Sequence, residues 1–445
     1  MKNTILKYSS LLALLGSTFF STQTFAAECV NGANAAGCEI DTDDITYTLT
    51  GNIAPAAGID GITLSGFPAF ANDNTVTLTG NITTTGDTAH GILLSGVDGN
   101  NIHIIGDISV NGVQAYGVYN FFGDYNRYIF TGGDGSVGNQ VTIDGDILAE
   151  GRLATGVFLL EAGIEASNAN YIINGNTRAT GEFGSGMTVN GHGHTVTQNG
   201  NITVTGEGGI GIYSYGTVAD GVGSTVNVNG NITATNDGGT GALIYNTNHL
   251  TINIVGDINT QGVSLLSGAS VFEASGLFFD DAGVGNENTN NTINLTGNIT
   301  TSGADAAGIY MARSNFNTIN VIGNISTTGA NAPGIHLNTL SNSNTYTING
   351  NIITSGTGGN AEPILLEGSD SNTFTLSGAV HSLGGDQAIA VDATSQNNTF
   401  TFKRGVSFIG GLENNGGSTN KLIFDMGKSA SYNLDFDDTS WTMED

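Results

Sequence analysis

Polar and apolar residues alternate along most of this chain in short bursts, and glycine punctuates them. One repeat shows the pattern: Asn74-Thr-Val-Thr-Leu-Thr-Gly80-Asn-Ile-Thr-Thr-Thr-Gly86-Asp-Thr-Ala-His-Gly91-Ile-Leu-Leu94. Before Gly80 the alternation has the period of a strand, with Val76 and Leu78 expected inside and Thr75, Thr77 and Thr79 outside. The first glycine recurs from Gly80 to Gly405, most often every 25 to 30 residues. A second follows six residues later, as in Gly86, Gly112 and Gly151, and Asn236 replaces it once. Asn tolerates a left-handed backbone better than other side chains do, which predicts a left-handed corner there. In eight repeats a third glycine follows five residues further on, as in Gly91 and Gly117.

Three short strands per repeat, with glycine at most corners and no helical period, predict one coil of a right-handed parallel β-helix. The chain is therefore expected to be all-β, with about 13 coils of roughly 27 residues stacked at about 4.8 Å. Ile82, Ile108, Ile202, Ile232, Ile299 and Ile325 recur two residues after the first glycine and should stack inside. The residue between is usually Asn (Asn81, Asn176, Asn201, Asn231, Asn298, Asn324) and sometimes Asp107, Asp146 or Asp257. Carboxylates crowded into an apolar corner would be costly, so this second column is expected to face solvent. An antiparallel propeller or prism needs hairpin turns and longer strands, which this spacing fits less well.

Composition narrows the picture. With only 10 Lys plus Arg, the formal charge is −29, which argues against nucleic acid and anionic membrane surfaces. Residues 1–26 read as an export signal: Lys2 and Lys7, a short apolar core, then Thr24-Phe25-Ala26 with cleavage expected before Ala27. No later apolar run is long enough to span a bilayer as a helix. Cys29 and Cys38 are the sole cysteines, and an oxidising compartment favours a disulfide between them over two free thiols. The expected organisation is signal 1–26, cap 27–44, β-helix 45–397 and C-terminal coils 398–445.

Two intervals are long, Gly106 to Gly145 and Gly256 to Gly297, and both insertions are expected to leave one corner after the third strand. They carry Phe121, Phe122, Tyr125 and Tyr128, and Phe272, Phe278 and Phe279, the candidate contact residues. The competing reading folds these aromatics back over the core.

Candidate chemistry is sparse. Galacturonan hydrolases with this fold use an Asp-Asp pair, then Gly-His-Gly, then Arg-Ile-Lys. Asp280-Asp281 and Gly191-His192-Gly193 occur here in reversed order, and Arg-Ile-Lys is absent. His192 and His194 could share a strand face, but no third metal ligand is evident. No catalytic, cofactor or metal set is expected.

The leader, the Gly-Asn-Ile-x-Thr-x-Gly-x-x-Ala-x-Gly-Ile coils and the final segment together resemble an autotransporter passenger of a Gram-negative bacterium. The final segment is Asn398-Thr-Phe-Thr-Phe-Lys-Arg-Gly-Val, Gly410-Gly411 and Asn420-Lys-Leu-Ile-Phe-Asp-Met-Gly-Lys-Ser-Ala-Ser-Tyr432. It is similar to the last coils before the translocation barrel. The resemblance implies display or release at the cell surface as an adhesin, aggregation or virulence factor. The lack of a catalytic set, the Thr/Asn exterior and the aromatic insertions favour a non-enzymatic scaffold that contacts a host cell, matrix or glycan surface, or a second copy. The alternative is a secreted polysaccharide-degrading lyase or glycoside hydrolase. The sequence ends at Asp445 without barrel strands. A separate outer-membrane translocator, a truncated reading frame and a periplasmic protein are the expectations left open.

Overall fold

The computed structural model describes residues 37–65, 71–122, 138–161, 168–190, 193–216, 222–267, 270–272, 274–280, 288–385, 387–427 and 441–444. Among them every regular element is a strand, and no helix is long and apolar enough to cross a membrane. The strands stack in parallel as a β-solenoid, with three strands to each turn. The chain divides into two compact units, residues 1–230 with 266–271, and 231–265 with 272–445.

In the first unit the turn Thr75–Thr79, Ile82–Thr85 and Ile92–Ser95 repeats four more times, ending with Thr195–Gln198, Ile202–Val204 and Ile210–Tyr215. Each strand pairs with its copy one repeat away: Val76 lies opposite Ile102, Ile82 opposite Ile108, and Ile92 opposite Val118. In the second unit six such turns run from Thr251–Val255, Ile258–Thr260 and Leu277–Asp280 to Thr399–Lys403, Ser407–Ile409 and Gly411–Asn414. Five and six give about 11 turns whose three strands lie within one unit, fewer than the 13 expected, because further strands outside them also carry the repeat. At the start, for example, Ile53 makes only an isolated bridge to Ile82.

The alternation settles which way each side chain points. Val76 and Leu78 are buried, while Thr75, Thr77 and Thr79 face outward. All six isoleucines of the expected inner column are 0% exposed. Burying each is worth roughly 1.5–3 kcal/mol. The Asn and Asp column faces solvent, and within each unit side-chain oxygens accept the backbone N–H of the next member. Asn81 Oδ1 accepts from Asp107 N (2.9 Å) and Asp107 Oδ1 from Asp146 N (2.9 Å). Only an acceptor oxygen is needed for that bond, so Asp substitutes freely for Asn.

A second Asn column is buried and lies six residues before the first glycine. In the second unit Asn291, Asn317, Asn344 and Asn372 are at most 1% exposed. Asn344 Oδ1 accepts the Asn317 backbone N–H at 2.9 Å, and its Nδ2 donates to Ser314 O at 2.8 Å. These bonds satisfy backbone groups at the corner between the third strand and the next first strand. Inside the same unit Tyr346, Phe374 and Phe400 stack face to face, with centroids 4.6 and 4.8 Å apart.

Two expectations need correction. Gly276 holds the third-glycine place in the longest repeat: a Cβ there would lie 2.6 Å from Gly308 O and 2.4 Å from Ile299 Cγ2. The third strand is therefore Leu277–Asp280, and residues inserted after Thr260 leave before that strand, not after it. The corner at Asn236 is not left-handed, since Asn236 has no positive φ. Left-handed backbone sits two residues beyond the second glycine, at Thr88, Gln114, Leu153 and Phe183 in the first unit and at Asp305 and Asn331 in the second. The glycines themselves answer close approach: a Cβ on Gly329 would lie 1.7 Å from Gly303 O.

Candidate functional site

Of the sequence-predicted contact residues, Phe278 and Phe279 are the ones whose side chains fall among the described residues. Tyr125 and Tyr128 lie outside the described residues, as do Ala26, Ala27 and Cys29. Cys38 is buried and disulfide-bonded. Phe121 and Phe122 end the strand Tyr116–Phe122, and Phe272 ends Ser270–Phe272. Phe278 and Phe279 belong to the strand Leu277–Asp280 and are 4% and 0% exposed, so they pack and do not project from a loop. His192 lies outside the described residues, and His194 is buried. Among the described residues no group of three or more His, Cys, Asp or Glu could hold a metal ion.

One buried polar cluster in the first unit invites a catalytic reading. Asp60 Oδ1 accepts the His90 backbone N–H at 2.6 Å, and His90 Nδ1 accepts the Tyr116 backbone N–H at 3.1 Å. The His90 ring stacks on Tyr116, which stacks on Phe158, with centroids 4.9 and 4.6 Å apart. Both polar side chains thus cap the backbone of the following turn. Burial pushes the Asp60 carboxyl up to about 7, against the opposing hydrogen bonds from His90 and Thr63, and pushes the His90 imidazole down to about 3. The consequences for stability have opposite signs. Between about pH 4 and 7 the unfolded chain has lost the Asp60 proton and the folded chain keeps it, so stability falls as pH rises. Between about pH 3 and 6.5 the unfolded chain protonates His90 and the folded chain does not, so stability rises with pH. Asp60→Asn keeps the acceptor for His90 and removes the first effect. Denaturant unfolding should show it more stable than the parent at pH 8, by up to about 4 kcal/mol, and equal to it at pH 3. Equal stability at both values would contradict the buried, protonated carboxyl.

An open depression of about 400 Å³ in the second unit has surface chemistry. It forms where the third strands Ile335–Asn338 and Ile364–Glu367 end. Their register places Asn338 opposite Glu367 and keeps Leu337 and Leu366 in the core. The chain then turns through Thr339 and Leu340, both with positive φ, and Leu340 is left 54% exposed. Asp392, just past the strand Gln387–Val391, completes the rim with Thr394.

The two carboxylates are held differently. Glu367 Oε2 meets His336 Nε2 at 2.8 Å, and this bond lowers the Glu367 pKa against its partial burial and the nearby Asp392 charge. Partial burial would raise the Asp392 pKa, but hydrogen bonds outweigh it and lower it. Its Oδ1 accepts from Ser395 Oγ (2.7 Å), Thr394 N (3.1 Å) and Gly368 N (3.2 Å), and its Oδ2 accepts from Thr394 Oγ1 (2.7 Å). Both groups are therefore ionised at neutral pH. A glycosidic cleavage site needs one carboxyl raised to act as the acid. This depression offers acceptors and negative charge. Sequence reasoning missed it because Glu367 and Asp392 form no motif, and only the register brings them to one rim.

No family model, no curated protein and no solved structure matches the chain.

Proposed function

We propose that this chain is an exported, non-enzymatic contact scaffold, displayed or released at the cell surface in the manner of an autotransporter passenger. The observation that carries this reading is the outer face of the first-strand sheet in the second unit. Thr251, Thr292, Thr318, Thr345, Thr373 and Thr399 fall in one register column. Asn253, Asn294, Asn320, Thr347, Thr375 and Thr401 fall in the next. The Asn amides chain from turn to turn at 2.9 Å. No charged side chain occupies these twelve positions, although the chain carries −29 overall.

Hydroxyl and amide groups repeated at about 4.8 Å suit weak contacts made many times over. These twelve uncharged positions, bounded at one end by Lys403, Lys421 and Asp425, are also where another surface approaches an acidic protein with least repulsion. The partner classes are a host cell, matrix or glycan surface, or a second copy. The purified chain, coated on beads, is expected to adhere to cells or clump. Beads that do neither, while the protein is folded, would overturn the reading. Export predicts a mature N-terminus at Ala27, which N-terminal sequencing of the secreted protein checks.

A further inference from the structure

We propose that Asp60 is a proton-operated latch on the cap strand Cys38–Ile40: the protonated carboxyl holds the strand closed, and its ionisation lets the strand peel away. The latch goes beyond the contact reading and holds whatever the chain contacts. Cys38–Ile40 lies in register on Ile62–Leu64, and among the described residues it is the outermost strand of its sheet. Ile40, Ile62 and Leu64 are all 0% exposed, so the strand covers part of the core. A three-residue strand at the end of a sheet opens locally at less cost than the whole fold unfolds.

Asp60 stands where the cap meets the next turn. On the cap side Cys38 N donates to Gly61 O at 2.8 Å, and Gly37 passes so close that a Cβ on it would collide with Asp60 O. On the other side Gly61 N donates to His90 O at 2.8 Å, beside the bond from His90 N to Asp60 Oδ1. The residue is only 8% exposed. Lifting Gly37 and Cys38 away gives its carboxyl to water. It also leaves Ile62–Leu64 as a bare sheet edge, to which another strand can add.

Among the described residues around Asp60, none supplies a balancing positive charge. The sequence has no Lys or Arg between Lys7 and Arg127. On the cap strand Cys38 is disulfide-bonded, and Glu39, half-buried, is itself acidic. Thr63 on the following strand gives only a hydroxyl, and Asp87 at the next turn's corner is exposed. Across that turn His90 Nδ1 already accepts the Tyr116 N–H and the two rings stack. Burial holds the His90 imidazole neutral and pushes the Tyr116 hydroxyl well above its ordinary value. A carboxyl so placed keeps its proton while the cap is closed, since burial raises its pKa to about 7 against the hydrogen bonds from His90 and Thr63. Once water reaches it, it ionises near pH 4. Opening is therefore favoured as pH rises from about 4 to 7, by up to about tenfold per unit, and levels off above 7.

The test is amide hydrogen exchange of the full mature chain at Cys38–Ile40, with each rate divided by that of the unfolded chain at the same pH. The opening constant of the parent over that of Asp60→Asn should rise on the order of a hundredfold from pH 5 to pH 8. Asparagine keeps the acceptor for His90 N–H and has no proton to lose, and the ratio cancels the titrations of Glu39 and His90. The same ratio at Ile364–Glu367, in the second unit, should stay constant. A ratio at Cys38–Ile40 that changes by no more than about twofold overturns the latch. An equal rise at Ile364–Glu367 overturns it as well, because the carboxyl would then act on unfolding of the whole chain and not on the cap. If Asp60→Asn does not fold, the parent alone gives the answer: exchange at Cys38–Ile40 must rise with pH relative to Ile364–Glu367, and a constant relation overturns the latch.

Discussion

Ile232→Asp is expected to lower the unfolding free energy by about 4 kcal/mol or more. Ile232 is 0% exposed and pairs in register with Ile258, which pairs with Ile299, so its side chain meets other isoleucines above it. A carboxylate there has no water and no cation. It must either stay protonated or force the turn open, and both cost stability. The loss should be smaller at pH 3, where the carboxyl is neutral in the folded and unfolded chain, than at pH 8. Denaturant unfolding at the two values measures this. A midpoint at pH 8 within experimental error of the parent would remove the inner column from the account.

The second large effect concerns the buried amides. Asn344→Ala should cost about 3 kcal/mol, whereas Asn324→Ala on the solvent side should cost about 1 kcal/mol or less. The Asn344 side chain accepts from Asn317 N and donates to Ser314 O and Asn372 Oδ1, all in a corner closed to water. Removing it strands a buried N–H and a buried carbonyl, and a buried unsatisfied group loses its full solvation. Asn324 Oδ1 accepts from Asn351 N at 2.9 Å, but that corner is exposed and water replaces the lost bond. Equal losses at the two positions would show that these two columns do not differ in burial as described.

Much of this was readable in the sequence. Alternation before Gly80 and the isoleucine after it gave strand direction, inner face and stacking, because a parallel solenoid repeats one environment at each turn. The buried Asn column was equally periodic, at Asn74, Asn100 and Asn139 and again from Asn291 to Asn372, but an Asn in a corner motif carries no sign of its burial. Burial there depends on the turns above and below, which lie a full repeat away in sequence. The handedness of the corners misled for a related reason. Leu153 and Phe183 take left-handed backbone because the register of turns above and below holds them, against their own preference.

The depression was not readable. Glu367 pairs with Asn338 in the ladder, and Asp392 lies 25 positions beyond Glu367. Neither spacing marks a motif, and the carboxylates share a rim only because successive third strands end at one height. The aromatics of the long intervals misled in the opposite direction. Phe278 and Phe279 follow a glycine that sits nine residues late, so they read as loop residues while the ladder claims them as strand.

The central claim is that the uncharged strand-register face makes the contact. Bead adhesion of Thr347→Lys/Thr375→Lys against the parent tests it most directly. Thr347 and Thr375 are register neighbours in the outer column, so two lysines there break its neutrality. The same change makes the whole chain less acidic, which on its own would ease approach to most cell surfaces. The account predicts that adhesion or clumping falls at least about tenfold, with the unfolding midpoint unchanged, because multivalent contact fails when its repeat is interrupted. Adhesion equal to or above that of the parent would contradict it.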